Sequence, residues 1–133
     1  MYKEKILNIL RASHTEFVSG EELARKCGIS RTMVWKHIKA LEREGFGIEA
    51  VPSRGYRITN EPDTLRLSDI KQGLRTKVVG KEIHLYPEVA STNTLAMEMA
   101  AQGATEGAVV ISEMQTGGKG RLGRKWLSPK GNL

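Results

Sequence analysis

The sequence has 133 residues and a mass of 14.7 kDa, enough for one average domain or two small ones. Its 39% hydrophobic and 27% charged residues exclude a disordered chain, and its longest apolar run, residues 108–111, is too short to cross a membrane. No basic and apolar leader precedes the first helical pattern, and Cys27 is the single cysteine. We therefore expect a cytoplasmic protein with no export signal, no intramolecular disulfide, no cysteine-based zinc site and no membrane partner.

The net charge of +6 is distributed unevenly along the chain. Residues 1–60 carry 11 Lys and Arg against 7 Asp and Glu, residues 61–116 carry 5 against 8, and residues 117–130 carry 5 basic residues and no acid. Two positive regions suggest two anionic partners. The polar segment around Pro62 predicts a linker at residues 61–66, which divides the chain into domains at residues 1–60 and 67–133.

Residues 1–60 begin with two helical patterns. An apolar stripe at residues 6–10 predicts the first helix. Ser19, with Glu22 three residues later, predicts a capping box at the start of the second helix. This helix is expected to end at Gly28, because glycine readily adopts the left-handed conformation that closes a helix.

A third helix follows after a very short turn. Ser30 is expected to cap it, and its pattern runs from Arg31 to about Glu44. Two short helices joined by so tight a turn are typical of a helix-turn-helix motif, which here begins at Gly20 and ends at Lys39.

The second helix of this motif has a narrow apolar stripe and a basic face. Val34, Ile38 and Leu41 fall within about 60° of one another around the helix axis. The polar residues on the opposite side are Thr32, Lys36, Lys39 and Arg43. A polar face that is basic or neutral is suited to the DNA major groove. The alternative, an ordinary solvent-exposed face, would not explain both the lack of acidic residues and the tight turn before the helix. Trp35 and His37 lie beside the stripe and are expected mainly to pack.

After Gly45 the apolar pattern changes to a period of two, which predicts a β-hairpin. Residues 46–50 and 56–58 would form its strands, and residues 52–55 its turn. A hairpin at this place is a wing, whose Arg54 at the tip and Arg57 on the return strand could reach the DNA backbone. The predicted DNA-binding residues are Arg31, Thr32, Lys36, Lys39, Arg43 and Arg54.

The second domain alternates helices and strands, which predicts an α/β or α+β fold. Its expected elements are a helix within residues 65–74, a strand at 82–86, a helix at 92–102 capped by Ser91, and a buried strand at 108–114.

A glycine-rich basic loop follows the last of these strands. Its residues are Gln115, Thr116, Gly117, Gly118, Lys119, Gly120, Arg121, Leu122, Gly123, Arg124, Lys125 and Trp126. Such a backbone can approach a ligand closely, and its cations can neutralise a phosphate. A dinucleotide site is disfavoured because Trp126 and Pro129 prevent the long helix that it needs. A Walker A loop is excluded because Gly120 stands where Ser or Thr would follow Lys119.

Over essentially its whole length, the chain resembles the bifunctional biotin–protein ligase/biotin operon repressors. The residues that carry the resemblance are Ser30, Arg31, Lys36, His37, Ile38, Gly55 and Tyr56 in the winged helix, Ser91, Thr92 and Asn93, and the loop from Gly118 to Trp126 with Ser128 and Pro129 after it. The resemblance implies an α+β protein, in which a winged helix-turn-helix domain precedes the first part of a mixed α/β catalytic domain.

The resemblance also implies a two-step reaction. Biotin and ATP would give biotinyl-5′-AMP and pyrophosphate, and the biotinyl group would then pass to a lysine of the biotin carboxyl carrier domain of acetyl-CoA carboxylase with release of AMP. The adenylate would act as corepressor by favouring a homodimer that binds operator DNA. Mg²⁺ would accompany ATP, with ligands outside this chain if at all. Because the sequence stops at Leu133, we expect a fragment that is inactive alone.

The residues implied for biotin and its adenylate are Ser91, Thr92, Asn93, Gln115, Gly118, Lys119, Gly120, Arg121 and Trp126. The first three would line the ureido end, Gln115 would lie near the ring, and Trp126 near adenine. Lys119 and Arg121 would be catalytic, although the family usually has arginine in place of Lys119, so the bidentate fork is lost. The alternatives are a winged-helix regulator with a non-catalytic, ligand-sensing remnant, and an unrelated nucleotide-binding module that binds ATP without biotin.

Overall fold

The computed structural model describes residues 1–131 and divides into two compact units. Unit 1 is Met1–Pro62, and unit 2 begins at Asp63. The elements of unit 1 are the helices α1 (Tyr2–Ala12), α2 (Gly20–Cys27) and α3 (Arg31–Arg43) and the strands β1 (Gly47–Val51) and β2 (Gly55–Asn60). In the part of the chain that the structure describes, no helix is long and apolar enough to cross a bilayer.

The helix ends of unit 1 follow the predicted caps. The Ser19 hydroxyl accepts a hydrogen bond from the Glu22 backbone N–H at 3.0 Å, and the Ser30 hydroxyl caps α3 in the same way. Gly28 closes α2 with a φ of +71°. The predicted capping box forms only in half, because the Glu22 carboxylate lies 2.7 Å from the Lys26 ammonium one turn further on. The hydrogen bond and charge of Lys26 hold the pKa of Glu22 below its usual value of 4.5.

A single apolar core joins the three helices of unit 1. The buried hydrophobic residues are Ile6, Leu7, Leu10, Val18, Leu23, Cys27, Val34, Ile38, Leu41 and Phe46. The predicted stripe of α3 is therefore the buried face of that helix. At about 1.5–3 kcal/mol for each large apolar side chain, this burial is the main source of stability in unit 1.

The hairpin of unit 1 docks on the segment before α2. Strands β1 and β2 are antiparallel, and Val51 pairs with Gly55 across the turn. The backbone groups of Val18 and Tyr56 exchange two hydrogen bonds of 2.9 Å, which attach β2 to the helical part of the unit. A hairpin held in this way after α3 confirms the predicted winged helix-turn-helix architecture.

Unit 2 contains the helices α4 (Leu67–Gly73) and α5 (Thr92–Ala101), the strands β3 (Ile83–Tyr86) and β4 (Val109–Ser112), and a 3₁₀ turn at Arg121–Gly123. The two strands are parallel and paired from Ile83–Val109 to Tyr86–Ser112. Because parallel strands need a crossover, α5 connects them and contacts β4. The mixture of helices and small sheets agrees with the predicted α+β class.

The prediction of a buried strand at residues 108–114 was wrong in length and in burial. Strand β4 has four residues, and only Ser112 in it is buried. Within residues 63–131 no hydrophobic side chain is buried. A continuous apolar run is typical of a strand covered on both faces, but the pattern alone does not show how much of that cover is present.

Candidate functional site

The polar face of α3 is open to solvent. Thr32, Lys36 and Arg43 are exposed, as their spacing on the helix predicts, and Arg31 at the start of the helix is exposed as well. Lys39 is half-buried, and its ammonium lies 2.7 Å from the carboxylate of Glu42. The lysines of this face are therefore unequal, because Glu42 partly compensates the charge of Lys39, whereas no carboxylate among residues 1–131 pairs with Lys36.

A groove of about 480 Å³ lies between α3, the start of α2 and the wing. Arg31, Lys39 and Tyr56 line it together with Trp35, whose side chain is 51% exposed. The prediction that Trp35 mainly packs was wrong, because the side of α3 that faces the wing has no covering element. His37 fits its prediction: it is half-buried, with its ring centroid 6.2 Å from that of Tyr2.

The wing places two arginines beside one aromatic ring. Arg54 lies in the turn between β1 and β2, and Arg57 lies on β2. Both guanidinium groups lie over the ring of Phe17, with Cζ at 4.3 Å and 4.6 Å from the centroid. Arg57 also pairs with Glu49 at 2.7 Å. The predicted wing residue Arg54 is thus at the turn. The contact of Phe17 with both arginines was not predicted from the sequence.

In unit 2, the start of α5 meets the first residue of the glycine loop. The buried hydroxyl of Ser91 caps α5 by accepting the Thr94 N–H at 3.4 Å. The side-chain carbonyl oxygen of Gln115 accepts two bonds from Thr92, from the backbone N–H at 2.8 Å and from the hydroxyl at 3.1 Å. Asn93 is exposed, and its amide lies 3.8 Å from the sulfur of Met97.

The base of the glycine loop is fixed to the residues just before Ser91. The backbone N–H of Thr116 donates to the carbonyl of Val89 at 3.0 Å, and that of Gly117 donates to Ala90 at 2.7 Å. Together with the bonds of Gln115, these join the Ser91 turn and the loop into one local structure. Residues that are more than 20 positions apart in sequence are thus held side by side.

The loop then folds back on itself. The Trp126 N–H donates to the Gly118 carbonyl at 2.9 Å, and the Gly120 N–H donates to the Arg124 carbonyl at 2.7 Å. A Cβ on Gly118 would lie 2.5 Å from the carbonyl oxygen of Trp126, so this crossing needs glycine. The spacing of glycines in the loop thus has a structural cause that the sequence analysis did not identify.

The cations of the loop face solvent. Lys119 and Arg121 are exposed, and among residues 1–131 no carboxylate lies within 4.0 Å of either. Trp126 is 63% exposed on the same loop. Two uncompensated cations on a glycine-rich turn can attract a phosphate, and an exposed indole can stack on a planar ring.

The loop does not offer ligands for a divalent metal ion. No acidic residue follows Glu113 in the sequence. In residues 1–131 there is no group of three or more His, Cys, Asp and Glu side chains that could hold a metal ion. Because Mg²⁺ takes carboxylate and phosphate oxygens, these residues do not fit an Mg²⁺ site of their own.

Comparison with known proteins assigns a family to each unit. Residues 3–57 match the HTH domain family, and residues 85–133 match the Biotin/lipoate A/B protein ligase family. The chain is 38% identical over 130 residues to the bifunctional ligase/repressor BirA of Bacillus subtilis, an alignment that covers 98% of this chain and 40% of that protein.

Two other relatives match shorter parts of the chain. The bifunctional ligase/repressor BirA of Escherichia coli is 36% identical over 116 residues, which is 87% of this chain and 35% of that protein. The biotin–protein ligase of Homo sapiens is 37% identical over 90 residues, or 63% of this chain and 12% of that protein. The chain spans about two fifths of the length of its bacterial relatives. The chain is therefore a homologue of the N-terminal part of the bifunctional ligase/repressors, with a domain of the HTH family followed by part of a domain of the Biotin/lipoate A/B protein ligase family.

Proposed function

We propose that unit 1 binds operator DNA and that unit 2 supplies part of the site in which biotin is activated by ATP. The contact between Gln115 and Thr92 carries the second half of the proposal. It holds the Ser91 turn against a loop with unpaired cations, so a small polar ligand at the turn has a phosphate-binding loop beside it. This is the arrangement that an acyl adenylate requires.

The chemistry needs both positive charge and exclusion of water. Attack of the biotin carboxylate on the α-phosphate of ATP breaks the bond between the α- and β-phosphates, releases pyrophosphate and builds negative charge, which Lys119 and Arg121 stabilise. The product, biotinyl-5′-AMP, is a mixed anhydride that water hydrolyses, and a glycine-rich loop that closes over it protects it. Ser91, Thr92, Asn93 and Gln115 bind the biotin end, and Trp126 packs at the adenine.

The remaining parts of the proposal concern partners. Biotin passes from the adenylate to a lysine of the biotin carboxyl carrier domain of acetyl-CoA carboxylase. The adenylate also favours a homodimer, whose two winged helices bind two half-sites of the operator. Mg²⁺ accompanies ATP, with protein ligands outside this chain if at all. These activities place the protein in the cytoplasm, where ATP, DNA and the carrier are available.

Calorimetric titration with a non-hydrolysable biotinyl-adenylate analogue tests the ligand site. We expect the analogue to bind the 133-residue chain, and to bind more tightly than biotin because Lys119 and Arg121 contact only its phosphate. The Lys119→Ala/Arg121→Ala variant should bind biotin as the wild type does but lose the preference for the analogue. Equal affinity of the wild type for the two ligands would contradict the proposed roles of these cations.

A winged-helix regulator with a ligand-sensing, non-catalytic second unit is the alternative. The exposure of Lys119 and Arg121 supports this regulator as well as it supports the ligase, because binding of an anionic ligand requires no transfer of biotin. A chimera that joins this chain to the rest of the ligase domain of the Bacillus subtilis relative separates the two. Incorporation of labelled biotin into a carrier domain supports the ligase, whereas analogue binding without incorporation supports the regulator.

The salt dependence of DNA binding tests the assignment of the α3 face. Each phosphate neutralised by the protein adds about 0.9 to the slope of log K against log salt concentration. We expect Lys36→Ala to lower this slope by about that amount. Lys39→Ala is the matched comparison and should lower it less, because Glu42 already compensates the Lys39 ammonium at 2.7 Å. An unchanged slope for Lys36→Ala would contradict the groove assignment.

A further inference from the structure

The ring of Phe17 lies under two positively charged side chains of the wing. Phe17 belongs to the segment between α1 and α2, directly before Val18, whose backbone pairs with Tyr56 on β2. This pairing brings the ring under the wing, where the Arg54 and Arg57 guanidinium carbons lie 4.3 Å and 4.6 Å from its centroid. Both distances are within the range of a favourable cation–π interaction.

The two arginines are not equivalent. Arg57 is bound to the carboxylate of Glu49 at 2.7 Å, and one of its N–H groups lies 3.4 Å from the carbonyl of Thr15. No carboxylate among residues 1–131 lies within 4.0 Å of the Arg54 guanidinium. The Arg57 side chain is therefore fixed by polar contacts within unit 1. The Arg54 guanidinium, in contrast, lies over the Phe17 ring without a carboxylate partner in the described residues.

A guanidinium stacked on a ring keeps its hydrogen-bond donors available. The aromatic face occupies one side of the planar group, and the N–H donors at its edge remain free for a phosphate, which arginine binds in a bidentate manner. A free arginine side chain has many rotamers and must lose most of that freedom on binding. Stacking on Phe17 restricts that freedom before DNA arrives, so less is lost in the complex.

We propose that Phe17 is a positioning residue of the DNA-binding surface, which holds Arg54 of the wing in the conformation that contacts a DNA phosphate. The proposal rests on the proposed binding of DNA by unit 1. It assigns no base contact to Phe17, which acts through Arg54 only. Its contribution should therefore be the same for all DNA sequences and should disappear when Arg54 is absent.

A double-mutant cycle tests the coupling. The wild type, Phe17→Leu, Arg54→Ala and the double variant are titrated onto a fluorescently labelled duplex of mixed sequence over a series of salt concentrations. We expect Phe17→Leu to weaken binding about two- to fivefold, which corresponds to a cation–π interaction at an exposed site. Arg54→Ala should weaken binding and lower the salt slope by about 0.9. The double variant should bind no more weakly than Arg54→Ala alone.

Two further variants separate positioning from packing. Phe17→Tyr keeps an aromatic face and should retain the wild-type affinity. Arg54→Lys keeps the charge without a planar group to stack, and is expected to bind more weakly than the wild type although Phe17 is unchanged. Because Arg54 lies in an exposed turn, this variant tests the stacking even if Phe17→Leu fails to fold.

The outcomes distinguish this inference from the proposed function. Additive effects of Phe17→Leu and Arg54→Ala, or equal affinities of the wild type and Arg54→Lys, would overturn the positioning role. If binding still weakened with Lys36→Ala in those experiments, the DNA-binding function would stand without the role of Phe17. No binding of DNA by the wild-type chain would overturn both.

Discussion

Replacing Gly55 with alanine is expected to lower the free energy of unfolding of unit 1 by about 2–4 kcal/mol. Gly55 begins β2 with a φ of +111°, a conformation that side chains disfavour. A Cβ at this position would lie 2.1 Å from the carbonyl oxygen of Val18 and 2.6 Å from the Cα of Ser19. Both neighbours are backbone atoms, so relief of the overlap requires the wing to separate from the start of α2.

Thermal unfolding followed by circular dichroism measures this effect. For a unit of this size, 1 kcal/mol corresponds to about 4–8 °C, so we expect Tm to fall by more than about 8 °C. Gly28→Ala is the matched control, since Gly28 also has a positive φ, of +71°, but nothing lies within 4 Å of its Cβ position. Equal losses in the two variants would show that backbone conformation alone explains the effect and that the wing is not tightly docked.

Gly118→Ala is expected to weaken binding of the biotinyl-adenylate analogue about ten- to hundredfold. The added methyl group would lie 2.5 Å from the Trp126 carbonyl oxygen. Relieving this overlap separates the two sides of the loop and breaks the bond between the Trp126 N–H and the Gly118 carbonyl. Lys119 and Trp126 would then lose their common position, although neither side chain is changed.

Calorimetric titration of the variant checks this expectation. Gly73→Ala in the same unit is the control, because Gly73 has no positive φ and nothing lies within 4 Å of its Cβ position. Since Gly73 is in α4, the alanine should leave analogue binding unchanged and slightly favour the helix. Wild-type affinity in Gly118→Ala would mean that the cross-loop bond does not shape the ligand site.

The helix-turn-helix could be predicted in detail because its signals are local. Ser19 and Ser30 bond to N–H groups three residues away, and Gly28 adopts its conformation without help from distant residues. The stripe on α3 was predictable for a similar reason, since Val34, Ile38 and Leu41 share one side of a regular helix. Each of these features depends on a few neighbouring residues.

One error concerns a feature that depends on a distant part of the chain, and two concern ion pairs between neighbouring side chains. Trp35 was expected to pack, but whether a residue at the edge of the stripe is covered depends on where the wing lies. Glu22 was expected to complete a capping box, but Lys26 competes for its carboxylate and is close enough to bind it. Lys39 was grouped with Lys36, although Glu42 on the next turn makes the two cations different.

In unit 2, the sequence suggested which residues belong together but not how they are joined. The resemblance grouped Thr92 with Gln115, and the structure joins them through a single amide oxygen. Their binding role stays a prediction. The proposed role of Phe17 had no signal in the sequence, because an isolated aromatic residue before a helix is equally typical of the core.

The distribution of buried side chains has a consequence for calorimetry. Among residues 1–131, every buried hydrophobic side chain lies in unit 1. The heat capacity increase on unfolding comes from hydration of newly exposed apolar surface, so unit 1 will supply most of it. Amide hydrogens of β3 and β4 will exchange with solvent through openings of lower free energy than those of α1 and α3, because little apolar surface must be exposed to release them. Ligand that orders unit 2 would therefore raise protection there most strongly.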